Sequence, residues 1–175
     1  GAAVAAMRRR APSVTDSSAL AAAFAFWLSV APGAPVAQAA VSVTDDAGTS
    51  IALAAPARRI VSLAPHATEL LYAAGAGERV VGVLASSDWP PEAAAKPKVG
   101  DARALDLERI LTLAPDLVVT WPYAAPAQVG ALLARGIPVF IADPATIYGI
   151  AADLERLGAL AGTLPTAAAR ASTRS

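Results

Sequence analysis

Four short runs of apolar residues alternate with helical patterns, and this alternation constrains the fold more than any other feature. The runs are too apolar for a sheet with one face in water, so each predicted strand is buried on both faces. Alternating strands and helices of this kind predict an α/β fold in which helices flank a parallel sheet. The predicted strands are residues 60–63, 80–84, 116–121 and 138–142. The helical patterns cover residues 68–74, 107–113 and 127–135, and a longer one begins at Ile147.

The first predicted strand ends at a proline that precedes the chain's only histidine. Pro65 lacks the N–H that a central strand must donate, so the strand stops before it. Thr68 is expected to cap the next helix, with Glu69 in its first turn. His66 therefore lies between a strand and a helix, at the edge where open α/β sheets bind ligands.

A β-hairpin is predicted before this pattern. Residues 41–44 and 49–53 alternate between apolar and polar side chains, and residues 45–48 supply aspartates and a glycine for the turn.

The first 39 residues are predicted to be a leader with a cleaved secretory signal peptide. Met7 precedes three arginines, and residues 19–30 form an apolar segment shorter than the roughly 20 residues that span a bilayer. Residues 36–39 supply an A-x-A cleavage site, so we expect export to the periplasm. The alternatives are an alanine-rich leader or a single membrane anchor. A lipoprotein anchor is excluded because the chain has no cysteine.

Composition and missing motifs argue against several functions. A net charge of zero, without a basic cluster in the body of the chain, argues against nucleic acid as a partner, and the absence of cysteine excludes thiol catalysis and thiolate-bound metals. Neither a phosphate-binding Gly-Lys-Ser/Thr nor a Gly-x-Ser-x-Gly motif is present. Asp106 is expected to cap a helix rather than to form a metal cluster with Asp101 and Glu108. We therefore predict no enzymatic activity, no cofactor and no metal site.

Aromatic side chains follow the predicted strands. Trp89 comes after the second strand, and Trp121 and Tyr123 come after the third. Parallel strands bring these ends to one edge, which favours binding of a large flat ligand. Alternatively, the two tryptophans pack loops onto the sheet. His66 could bind a metal already held in a macrocycle, hydrogen-bond a ligand, cap the junction or face solvent.

Several segments, taken in order, resemble the periplasmic cobalamin-, haem- and siderophore-binding proteins of ABC importers. The spacing is most similar to that of the cobalamin-binding members. The segments are residues 59–65, 68–70, 86–91, 99–101, 106–110 and 113–118.

The resemblance implies two α/β lobes joined by a long helix, with the ligand in the cleft between them. Residues 40–145 would form the N-terminal lobe and residues 146–175 the start of the interlobe helix, so the chain is expected to be a fragment. The implied function is to bind a cobalamin-like corrinoid as a monomer and deliver it to the ABC permease in the inner membrane. The alternatives are a haem or ferric-siderophore binder or, from another class, a small flavodoxin-like enzyme or cofactor carrier.

The resemblance also implies roles for individual residues. Glu108 would dock onto arginines of the permease, and Trp121 would contact the corrin. Ser86 and Ala102 stand where cobalamin binders place a tyrosine and a tryptophan, so either Trp89 or Tyr123 compensates or the ligand is another metal chelate. Glu69 would stabilise its helix or contact the ligand. The predicted ligand-binding residues are Pro65, His66, Ser86, Asp88, Trp89, Ala102, Trp121 and Tyr123.

Overall fold

The computed structural model describes residues 40–124 and 126–165. The predicted signal peptide lies outside the described residues. Among those that are described, no helix has the length and apolar character needed to cross a membrane.

Four parallel strands form the central sheet in the order β4-β3-β5-β6, and β1 pairs with β2 in a separate antiparallel hairpin. The strands are β1 (Val41–Thr44), β2 (Ser50–Leu53), β3 (Ile60–Ser62), β4 (Val80–Val83), β5 (Leu117–Thr120) and β6 (Val139–Ile141). The helices are α1 (Pro65–Ala73), α2 (Pro91–Ala94), α3 (Leu107–Thr112), α4 (Pro126–Leu133) and α5 (Ile147–Ala161). The predicted fold class and hairpin are therefore confirmed.

The sheet separates two apolar layers. Because side chains alternate along a strand, Leu117 of β5 belongs to the layer that contains α1, α5 and the hairpin, whereas Val118 belongs to the opposite layer. That opposite layer contains Ile110 of α3 and Leu132 of α4. All four residues of β5 are buried, as expected for a parallel strand covered on both faces.

The predicted start of α1 was wrong. The helix begins at Pro65, three residues before Thr68, and Ala64 occupies the cap position without a side-chain bond. Proline is well suited to a first helical position because it has no N–H to leave unpaired and its φ is already helical. The cap predicted for α3 is confirmed, since an Asp106 carboxylate oxygen accepts a 2.9 Å hydrogen bond from the Arg109 N–H.

The turn of the hairpin is fixed to β6 and α5 by polar contacts. Asp46 accepts a hydrogen bond from the Asp143 N–H at 2.6 Å and pairs with Arg156 of α5. Arg156 also pairs with Asp153, whose side chain is fully buried. Burial raises the pKa of Asp153 to about 7, although the Arg156 charge acts in the opposite direction. Burial tends to raise the pKa of Asp46 as well, but the Asp143 N–H and Arg156 hold it below its usual value.

Candidate functional site

The strand order creates a crevice between β3 and β5. The chain leaves β3 toward β4 on one side and later returns to form β5 on the other. Connections that diverge in this way open a crevice at the carboxyl ends of the strands, which is where open α/β sheets bind ligands. A cavity of about 460 Å³ lies at this position.

The cavity collects residues that are distant in the sequence but close to the carboxyl ends of the strands. Five of the eight predicted ligand-binding residues line it, together with Glu69 and three apolar residues at strand ends. The lining residues are Leu63, Ala64, Pro65, His66, Glu69, Leu84, Ser86, Ala102 and Trp121. Sequence reasoning did not single out Leu63 and Leu84 as site residues, because a buried leucine at a strand end has the same pattern as any core leucine.

His66 is held in place from the opposite side of the crevice. The ring is half-buried, and its Nε2 lies 3.2 Å from the carbonyl oxygen of Ala142, which follows β6. A carbonyl can only accept a hydrogen bond, so Nε2 carries the hydrogen, which leaves Nδ1 as the ring nitrogen that can act as an acceptor. The His66 ring is therefore half-buried and hydrogen-bonded to the residue after β6, and it does not simply face solvent.

His66, Trp121 and Tyr123 form an aromatic row along the edge of the sheet. The ring centroids of His66 and Trp121 are 6.2 Å apart, and those of Trp121 and Tyr123 are 5.3 Å apart, both in edge-to-face geometry. Trp121 is 37% exposed and Tyr123 is 77% exposed. The row therefore exposes aromatic surface at the mouth of the cavity, although Tyr123 does not line the cavity and is linked to it only through Trp121.

Two predicted ligand-binding residues lie away from this cavity. Trp89 is 63% exposed and lines a second cavity of about 540 Å³ with Glu69 and Tyr72. Asp88 is exposed and lines neither cavity. The loop after β4 therefore contributes Ser86 to the crevice, while its tryptophan lies at a different surface.

Glu108, the predicted permease contact, is exposed in the first turn of α3. It forms no salt bridge within the described part of the chain. It does not line the crevice, so its carboxylate is available to a partner independently of the cavity. Within the same residues, no group of three histidines, aspartates or glutamates is arranged to hold a metal ion.

Residues 60–172 match the family model described as periplasmic binding protein. The chain belongs to this family. Two similar relatives are the vitamin B12-binding proteins of Vibrio campbellii and Photorhabdus laumondii. The former is 44% identical over 103 residues, which are 58% of this chain and 38% of the relative. The latter is 44% identical over 100 residues, which are 57% of this chain and 36% of the relative.

Solved structures of periplasmic binding proteins have the same fold. The vitamin B12 binding protein BtuF of Vibrio cholerae superimposes with a TM-score of 0.65 and 37% identity, covering 68% of this chain and 47% of BtuF. A periplasmic haem binding protein from Pseudomonas aeruginosa superimposes with a TM-score of 0.60 and 29% identity, covering 67% of this chain and 43% of that protein. The family resemblance predicted from the sequence is confirmed. The chain spans less than half the length of these relatives.

Proposed function

We propose that this periplasmic binding protein uses the crevice between β3 and β5 as one wall of a binding site for a cobalamin-like corrinoid. The observation that carries the proposal is the position of Trp121, which stands partly exposed at the cavity directly beside His66. The names of the similar vitamin B12-binding proteins support the same ligand.

The chemistry of the cavity fits this ligand class. A corrinoid has two apolar faces and a rim of amide groups. The aromatic row offers rings against which such a face can pack. Among the described residues that line the cavity, Glu69 is the one acidic side chain, and its carboxylate can accept hydrogen bonds from rim amides.

A haem binder is the second candidate. His66 keeps Nδ1 as an acceptor while Nε2 is bonded to Ala142, so its ring can offer one nitrogen to a metal that a macrocycle already holds. The haem-binding proteins among the structural relatives support this alternative. Against it, Glu69 would repel the carboxylates of haem.

In this proposal the protein delivers its ligand to an ABC permease and catalyses no reaction. Glu108 would be the contact on this chain, because an exposed carboxylate in the first turn of a helix suits a charge-assisted bond to arginine. The cavity and the docking carboxylate are then separate, which lets the protein present its ligand while bound to the transporter.

NMR titration of the isotope-labelled chain tests the ligand. The crevice is one wall of the proposed site, so we expect weak binding, with negligible occupancy at micromolar cyanocobalamin. The titration therefore extends to millimolar ligand, where a dissociation constant of roughly 1 mM, or about 4 kcal/mol of binding free energy, can be measured. We expect cyanocobalamin to shift the Trp121 indole and His66 signals and to leave those of Glu108 unchanged. Gallium protoporphyrin, a diamagnetic substitute for haem, serves as the competing ligand. Stronger shifts with the porphyrin would favour the haem alternative, and no shifts with either would refute both.

A further inference from the structure

A buried cluster of three hydroxyl groups lies directly behind the wall of the cavity. The Thr68 hydroxyl is 2.8 Å from the Ser62 hydroxyl and 3.1 Å from the Ser87 hydroxyl, and it donates to the Ala64 carbonyl at 3.1 Å. Thr68 and Ser62 are fully buried, and Ser87 is 1% exposed. The three oxygen atoms that Thr68 contacts belong to β3, to the junction after β3 and to the loop after β4. Thr68, which lies in α1, therefore connects α1 to three segments around the crevice.

The side chains on either side of this cluster face the cavity. His66 and Glu69 are three residues apart on α1 and therefore lie on one face of the helix, while Thr68 between them points into the core. Ser86 lines the cavity immediately before Ser87. Movement of α1 relative to the loop after β4 would therefore change the separation of Ser86 from His66 and Glu69.

The hydroxyl cluster joins the loop after β4 to α1 through Ser87. The Ser87 carbonyl accepts from the Lys98 ammonium at 3.0 Å, and its N–H donates to the Leu84 carbonyl at 3.0 Å. These two bonds shape the loop and tie it to its own side of the sheet. Among the described residues, the hydroxyl contact with Thr68 is the hydrogen bond that joins Ser87 to α1.

We propose that Thr68 is a positioning residue of the binding site, whose hydroxyl holds the loop after β4 against α1 and so sets the width of the crevice. This inference rests on the proposed function, because the crevice is taken to be the ligand site. Thr68 does not touch the cavity and acts only through Ser87 and the helix that carries His66 and Glu69.

The test compares Thr68→Val, which removes the hydroxyl but keeps the shape, with Thr68→Ser, which keeps the hydroxyl. Ile110→Val is the control, since it trims a fully buried side chain in the opposite apolar layer. The first measurement needs no ligand: amide hydrogen exchange of Ala85 and Ser87 in the full chain. We expect Thr68→Val to speed exchange at these amides at least about fivefold beyond any global change, and the other two variants to leave it near wild type.

The second measurement is the affinity for cyanocobalamin by NMR titration, at a temperature where every variant is folded. We expect Thr68→Val to weaken binding by about three- to tenfold, Thr68→Ser to restore it and Ile110→Val to leave it unchanged. Wild-type loop exchange or undiminished affinity in folded Thr68→Val would overturn the inference, because a purely structural threonine would lower only the melting temperature.

If the wild-type chain binds no ligand, the proposed function fails while loop exchange still decides the role of Thr68. If Thr68→Val does not fold, Ser87→Ala breaks the same contact, and unchanged loop exchange in that variant would refute the inference.

Discussion

The buried carboxyl of Asp153 should make the stability of this protein fall as the pH rises toward neutral. Its pKa is about 7 in the folded chain, against an ordinary value of 3.8, and the side chain is fully buried. Between these values the folded chain binds a proton that the unfolded chain has released. Stability is therefore highest when Asp153 is protonated and declines as the pH rises toward the folded pKa.

The two pKa values set the size of the effect. Between about pH 5 and about pH 8, the linkage relation gives a loss of about 2–3 kcal/mol in the free energy of unfolding from this one group. Asp153→Asn removes the titrating group and keeps its shape. We expect the variant to lack this decline and to be more stable than wild type at the higher pH by a similar amount.

Urea unfolding followed by circular dichroism at both pH values measures the effect. Glu155→Gln is the matched control, because Glu155 is an exposed carboxylate on the same helix, next to Arg156. The control should retain the pH dependence of wild type. If Asp153→Asn also retained the pH dependence, or if wild type became more stable as the pH rose, burial would not outweigh the Arg156 charge at Asp153.

Three further predictions concern the site, the docking residue and the backbone. Trp121→Ala should weaken cobalamin binding by at least about 1 kcal/mol, a roughly fivefold rise in the dissociation constant, and an unchanged dissociation constant by NMR titration would remove Trp121 from the site. Glu108→Ala should leave cobalamin binding intact and lower cobalamin uptake in cells, so weakened binding with normal uptake would contradict a docking role. Gly162→Ala should destabilise the fold by about 2 kcal/mol in urea unfolding, and Gly136→Ala by about 1 kcal/mol. Both glycines have positive φ, but only at Gly162 would a new Cβ lie 2.9 Å from a Pro56 carbon, so equal costs would refute the steric part of this argument.

The strands, and their burial on both faces, could be predicted from the sequence because the pattern of apolar residues is local. Residues 117–119 are apolar at every position, and a strand that is covered on both faces accounts for such a short run. Asp153 could not be recognised in the same way. Its burial depends on Arg156 and on Asp46, which lies 110 residues before Arg156 in the chain, and nothing in the local helical pattern indicates that pairing.

The candidate site was predicted in part, and the division has a physical basis. Trp121 directly follows β5, and His66 lies in the first turn of the helix that follows β3, so the two rings meet at the carboxyl edge as expected. Trp89 is separated from the end of β4 by a loop, and the short helix α2 begins at Pro91, two residues after it. The direction of a side chain in such a loop is set by local turns rather than by strand position, so its contribution to the crevice could not be inferred from sequence order.

The residue at which α1 begins, which was predicted wrongly, determines the geometry of the site. With a cap at Thr68, His66 would precede the helix, and nothing would relate its direction to that of Glu69. Because Pro65 starts the helix, His66 and Glu69 share one face and Thr68 points to the core, where its hydroxyl meets Ser62 and Ser87. The same proline that ends the strand thus supplies both the cavity wall and the buried contact that supports it. A substitution at Pro65 should therefore disturb the site more than its own exposed side chain would suggest.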